Sequence, residues 1–213
     1  MTTRLGLVSD IHATPEPLKE ALAIFQREGV DMILCPGDVA GYGDRLDETV
    51  ALLVESQCQT ILGNHDIWYL EDNLEMSENP TSQFFRDLPS SLKLTLEGKK
   101  VYMVHASPPE SIMDGIRLLD ENGDIIKERK TEWTERLTGF DYDVLIVGHT
   151  HQVFAEQLGK TLVINPGSTE YNHTCGILSL PDMKFQLFAL SNKNPIRSWN
   201  WGLFFANKEK ITD

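Results

Sequence analysis

Three short apolar runs separated by stretches of helical spacing set the strongest limit on how this chain can fold. "RLGLVSD" (4–10), "DMILCPGD" (31–38) and "TILGN" (60–64) read as strands. Between the first two lies "TPEPLKEALAIFQREG". There Thr14 can cap a helix, Pro15 suits its first position and Gly29 can end it, with Leu18, Leu22 and Phe25 along one face. A second helix starts near Asp44 and carries Leu46, Val50, Leu53 and Val54 on one face. Repeated strand–helix–strand units of this size argue for a parallel sheet covered by helices.

The later chain changes character. "LKLTLEGKKVYMVHAS" (92–107) reads as two strands joined by a tight turn at Glu97-Gly98. Residues 108–140 are polar and hold a helix pattern through Ile126, Trp133 and Leu137. "DVLIVGHTH" is another strand, and "TLVINPGS", "TCGILSL" and "KFQLFAL" look antiparallel. The "DENGD" at 120–124 lacks the glycine at the sixth position and the glutamate at the twelfth that a calcium loop needs, and reads as a turn. The expected fold is α/β: two mixed β-sheets packed face to face with helices on the outside. Lacking repeats, low-complexity tracts or a linker, residues 1–213 read as one domain, with 191–213 as a C-terminal tail. The aromatics of "IRSWNWGLFF" would fold back on the core, form a dimer interface or make a lid near the site.

Charge and cysteine content narrow the function. A net charge of −13 repels long polyanions, which disfavours nonspecific nucleic-acid binding but leaves room for a small anionic substrate at a cationic site. The three cysteines, Cys35, Cys58 and Cys175, are widely spaced and read as reduced thiols of a cytoplasmic protein. The N-terminus meets an acid and a histidine too early for a signal peptide, and no run approaches a membrane span.

The polar residues that follow the strand-like runs carry the chemistry. Asp10 and His12 follow the first run, Asp38 the second, and Asn64, His65 and Asp66 the third. His105 follows "VYMV", and His149 and His151 follow "LIVG". Five of the six histidines thus sit where a strand gives out, the edge at which α/β sheets bind ligands. Each alone has an ordinary reading as a surface or satisfied-core residue; together they do not. Imidazole nitrogens and hard oxygens without thiolate suit manganese, iron, zinc or similar divalent ions. Seven candidate ligands exceed the needs of one ion, whereas two ions sharing a carboxylate would use them. A serine triad fits worse, since no Gly-x-Ser-x-Gly elbow is present.

Asp10-x-His12, Gly37-Asp38, Gly63-Asn64-His65-Asp66, His105 and Gly148-His149-Thr150-His151 resemble, in order and spacing, the five blocks of the calcineurin-like metallophosphoesterases. "GDVAGYGD" and "NPGS" (165–168) are similar to segments of the small bacterial phosphodiesterase branch. The resemblance implies a four-layer α/β/β/α fold. It implies one ion held by Asp10, His12, Asp38 and His151, and another by Asp38, Asn64, His105 and His149, with Asp38 bridging. The ions would be manganese first, with iron, zinc, cobalt or nickel as alternatives. In this family the residue at His65 protonates the leaving group, and the aspartate at Asp66 orients it. Two divalent ions, two aspartates and a bridging hydroxide sum to about +1, a site that draws a phosphate ester into an acidic protein. The chain departs from the family at Ala13, where glycine is common, and after "NPGS", where "TEYNHT" replaces an arginine. His173 could take over that phosphate contact, against its reading as a surface histidine. Tyr42 could stack on a nucleobase or aryl group, against its reading as a packed side chain.

The implied activity is hydrolysis of small phosphodiesters or phosphoanhydrides by a dinuclear-metal enzyme, on a small phosphorylated substrate that a nucleotide would satisfy. Diadenosine polyphosphate cleavage and phosphomonoester hydrolysis are alternatives. A non-catalytic scaffold of the same fold is a further one, and a homodimer would be compatible with the tail. A scaffold should have lost some of Asp10, His12, Asn64 or His65, and this chain keeps all four.

Overall fold

Strands β1 (Thr3–Leu7), β2 (Met32–Cys35) and β3 (Gln59–Thr60) run parallel in the computed structural model, which describes residues 1–73 and 79–199. Helices α1 (Pro15–Glu28) and α2 (Leu46–Glu55) cross between them. Gly29 ends α1 in the left-handed conformation at φ 66°. Thr14 stands at the N-cap position, but its hydroxyl donates to the His12 carbonyl instead of capping the helix. Gly6 lets α1 lie close on β1, since a methyl there would come within 2.8 Å of the Phe25 ring.

Helix α3 (Asn64–Asp72) begins where the third strand was expected to end, so Asn64, His65 and Asp66 form its first turn. A short helix α4 (Pro80–Arg86) follows. Strands β4 (Ser91–Leu96) and β5 (Lys99–Val104) form the expected hairpin, with Glu97 and Gly98 both at positive φ. Helix α5 (Lys127–Arg136) occupies part of the polar segment, with Ile126 and Leu137 flanking it. Asp120 accepts from the Asn122 and Asp124 amides at 2.9 Å, which makes "DENGD" a turn.

Strands β6 (Val144–Ile146), β7 (Val153–Leu158), β8 (Thr161–Pro166), β9 (Thr174–Leu180) and β10 (Lys184–Ala189) complete two five-stranded sheets. Their orders are β10-β9-β1-β2-β3 and β4-β5-β6-β8-β7. Strand β7 is an addition to the sequence-based reading. It pairs antiparallel with β8 and so leaves β8 parallel to β6, where an antiparallel strand was expected. Strands β9 and β10 are antiparallel as expected.

Alternation along the strands builds the layers. Leu5, Leu7 and Leu34 of the first sheet meet Val101, Met103, Val144 and Ile146 of the second in a dry interior between the sheets. The opposite face of the first sheet packs under Leu18, Phe25, Val50 and Leu53 of α1 and α2. That of the second packs under Trp133 and Leu137. Val54, placed by periodicity on the buried face of α2, is 60% exposed because the helix turns it away from the sheet. The parallel strands of both sheets end at the same side of the molecule, and the loops that leave those ends carry the site.

Candidate active site

The β1 and β2 loops continue side by side after their strands. The amides of Asp10, His12 and Ala13 donate to the carbonyls of Gly37, Asp38 and Val39 at 3.1, 3.1 and 2.7 Å. Asp10, His12, Asp38, His149 and His151 all adopt left-handed backbone, at φ 50°, 52°, 55°, 64° and 49°. This conformation is costly for residues with a Cβ and clusters at functional sites. The neighbouring ladder bonds hold it, and the side chains turn inward from the strand ends as a result. Two glycines leave room for them. A methyl at Gly148 would press into Ser9 and come within 2.7 Å of Asp10 Oδ2, and one at Gly63 would strike Asp38.

Asp10, His12 and His151 form one group of potential ligand atoms, and Asp38, His105 and His149 another, each lying within 4.8 Å of one another. In the first, His12 Nε2 faces His151 Nε2 at 3.1 Å, and His151 Nε2 lies 3.3 Å from Asp10 Oδ1. In the second, Asn64 Oδ1 faces His105 Nε2 at 3.0 Å and His149 Nδ1 at 2.9 Å. The other ring nitrogens of two histidines are spoken for: His12 Nδ1 donates to the Ala40 carbonyl at 3.1 Å and His105 Nδ1 to that of Pro36 at 2.7 Å. A carbonyl can only accept, so in neutral imidazole each Nε2 presents a lone pair to the cluster. Lone pairs facing one another at such distances repel unless a cation lies among them. For Asn64 the alternative is a reversed amide that donates to both imidazoles. An octahedron with bonds of about 2.1 Å has edges of about 3.0 Å, so these separations suit a divalent ion.

The electrostatics of the cluster agree. Burial, reinforced by His151, lowers the pKa of His12 to about 4. Burial alone would raise Asp10, yet the facing His151 holds its carboxyl far below the usual range. Burial would lower His105, yet Asp38, 3.4 Å away, raises it to about 9. Burial thus keeps His12 neutral with a lone pair to offer, while the buried carboxylate of Asp38 draws positive charge onto His105, the charge that a metal ion would supply.

His65 stands at the edge of the cluster. Its amide donates to Asp38 Oδ1 at 2.9 Å, and its ring centroid lies 4.9 Å from His12 and 4.8 Å from both Tyr42 and Trp68. With His12 and Asp38 it makes a third group of potential ligands. Asp66 differs from the expectation that it steadies the His65 ring. Its fully buried carboxylate accepts from the amides of Asp38, Ala40 and Gly63 at 3.0, 2.8 and 2.8 Å. It therefore shapes the loop that carries Asp38. Burial and the charge of Asp38 push its pKa up to about 7 against the Ala40 and Gly63 amides, which favour the carboxylate.

Tyr42 lies beside the cluster, its ring 4.9 Å from that of His12. His173 does not: its carbonyl accepts from Leu190, and its ring is lowered in pKa by burial and by Lys193, away from the cluster. The position beside the ligands belongs instead to Tyr171, stacked on His151 at 5.4 Å and 5.6 Å from His12. Its sequence signal is weak, a single aromatic two residues before His173. "NPGS" braces the loops: Asn165 donates to the Gly148 carbonyl at 2.8 Å and Ser168 to that of Asp10 at 2.6 Å. The start of the tail folds back, with the Trp199 amide donating to the His151 carbonyl at 3.1 Å. The rest of the aromatic tail, from residue 200, lies outside the described residues.

Two face-to-face sheets whose parallel strands deliver histidines, aspartates and an asparagine to one edge define a metal-binding hydrolase of phosphate esters. The family model described as the calcineurin-like phosphoesterase superfamily domain matches residues 3–180, and the chain belongs to that superfamily of metal-dependent phosphoric ester hydrolases. An uncharacterized protein of Methanocaldococcus jannaschii is 27% identical over 180 residues, covering 76% of this chain and 68% of that protein. Phosphodiesterase YfcE of Escherichia coli is 24% identical over 169 residues, 78% of each chain. The crystal structure of a metallophosphoesterase from Sphaerobacter thermophilus shares the fold, with a TM-score of 0.63 and 20% identity over 99% of this chain and 95% of that one.

Proposed function

We propose that the chain is a dinuclear phosphodiesterase of small substrates, with manganese as the working ion. The observation that carries this reading is the pair of ligand groups, Asp10–His12–His151 and Asp38–Asn64–His105–His149, whose bare nitrogens and oxygens face one another at about one octahedral edge. Asp38, within reach of both groups, would be shared. Two bound divalent ions would lower the pKa of water toward neutrality and clamp the phosphoryl oxygens.

The chain's own residues do the rest. The backbone carbonyls of Ala40 and Pro36 hold His12 and His105 in the tautomer that keeps Nε2 open. Asp66 holds the loop of Asp38, and Ser9 donates its hydroxyl to the Asp10 carboxylate. His65 Nδ1 or Nε2 hands a proton to the departing alkoxide, worth on the order of 10²–10⁴-fold. Burial lowers its pKa, and an arriving phosphate anion restores the proton by its charge. Tyr42 and Tyr171 flank the entrance with their rings 5.9 Å apart.

The test strips the protein of metal, restores manganese, and compares bis-p-nitrophenyl phosphate, p-nitrophenyl phosphate and diadenosine tetraphosphate. Manganese-restored turnover, fastest on the diester, is expected. Two ions bound without turnover of any of the three would overturn the reading.

A further inference from the structure

A cavity of about 450 Å³ opens beside His65, outside the ligand cluster. Its walls include Tyr42 and Trp68, which are 55% and 43% exposed and whose rings both lie 4.8 Å from that of His65. Both rings belong to the cavity wall, so a ligand seated in the cavity would touch them. Asp44 and Asp72 complete the rim, and among the described residues no lysine or arginine lines the cavity. Neither carboxylate has a hydrogen bond or ion pair with any described residue.

Under the phosphodiesterase reading above, on which this step rests, a proton donor stands on the leaving-group side of the phosphorus. The cavity beside His65 therefore receives the departing alcohol. Aromatic rings with carboxylates attract cations and repel anions. We infer that this cavity is a leaving-group subsite that selects phosphodiesters of amino alcohols, with the ammonium or quaternary ammonium held among Tyr42, Trp68, Asp44 and Asp72. Such a diester is a zwitterion of no net charge, so the acidic surface of the protein does not repel it. A leaving group that is itself a nucleotide would bring negative charge against both aspartates.

The reaction balances as a hydrolysis. Water adds to phosphorus, the bond from phosphorus to the leaving oxygen breaks, and His65 protonates that oxygen, so the products are a phosphate monoester and the free amino alcohol.

The test uses the manganese-loaded full chain and three methyl phosphodiesters. Their alcohols are choline, its isostere with quaternary carbon in place of nitrogen, and a carboxylate-bearing alcohol of equal length. Released alcohol is quantified. The choline diester should exceed the isostere about tenfold in kcat/KM, and the isostere should exceed the acid. In the double variant Asp44→Asn with Asp72→Asn the choline preference should fall toward unity. Tetramethylammonium, titrated calorimetrically, should bind the wild-type chain and bind the double variant several-fold more weakly. Equal rates for choline and isostere, or a lead for the acid, overturn the subsite while the phosphodiesterase reading stands. If neither these diesters nor bis-p-nitrophenyl phosphate turn over, that reading fails, and the tetramethylammonium titration decides the subsite: binding lost in the double variant supports it, and no binding overturns it.

Discussion

Single residues in this site differ in what they hold. Asp38 reaches both ligand groups, whereas His65 touches the cluster only from its edge. Asp38→Ala is therefore expected to lose both ions, and His65→Ala to keep them while losing at least about 10²-fold in kcat. Metal analysis alongside kinetics checks this, and an emptied metal site in His65→Ala would make that histidine a ligand. Ala13 sits at φ 56°, in the left-handed region, and it is buried. Left-handed backbone costs an alanine about 1–2 kcal/mol, and glycine adds about 0.5–1 kcal/mol of chain entropy in the unfolded state. Ala13→Gly should thus leave stability unchanged or raise it by up to about 1 kcal/mol in urea unfolding. A larger loss would mean that the packing of the methyl outweighs the strain.

At the scale of elements, the first turn of α3 joins two loops that sequence separates by more than twenty residues. Asp66 accepts from Gly63 in its own turn and from Asp38 and Ala40 in the loop after β2. Removing the carboxylate leaves three buried amides without partners, at about 1–3 kcal/mol each. Asp66→Ala should lose at least about 3 kcal/mol of stability in urea unfolding and bind metal more weakly, because the loop of Asp38 loses its anchor. Retained metal affinity would show that the loop stands without it. "TILGN" looked like a strand that runs to Asn64, yet pairing ends at Thr60, because Leu62 donates to Pro89 and the chain then turns into a helix. Hydrophobicity alone does not reveal where a ladder stops. Strand β7 carries little sequence signal for a related reason: "VFAEQL" is only apolar at its ends, and its place is decided by pairing with β8.

On the scale of the whole molecule, the proposed ligands come from the ends of β1, β2, β5 and β6 and from the start of α3, so bound metal would tie the two sheets together. An ion present at about 100 times its Kd stabilises by about 2.7 kcal/mol, which in a chain of this size is about 5–10 °C in Tm. Chelation should lower Tm by that amount and manganese should restore it in a thermal melt. No shift would mean that the cluster is organised without metal. No helix among the described residues is long and apolar enough to cross a membrane.

The order and spacing of the strand-end residues were legible in the sequence, because strand endings at an α/β edge are written as apolar runs that stop at polar side chains. Those runs also determined the two-sheet architecture and seven of the residues that meet at the site. Other facts rested on the tertiary structure: the left-handed turns that aim the ligands, the true partners of Asp66, the exclusion of His173 and the entry of Tyr171. Each depends on what packs beside a residue from a distant part of the chain, and periodicity carries no record of that. The cavity beside His65 is of the same kind, since Tyr42 comes from the loop after β2 and Trp68 from α3, and both reach it only when β2 and β3 lie side by side.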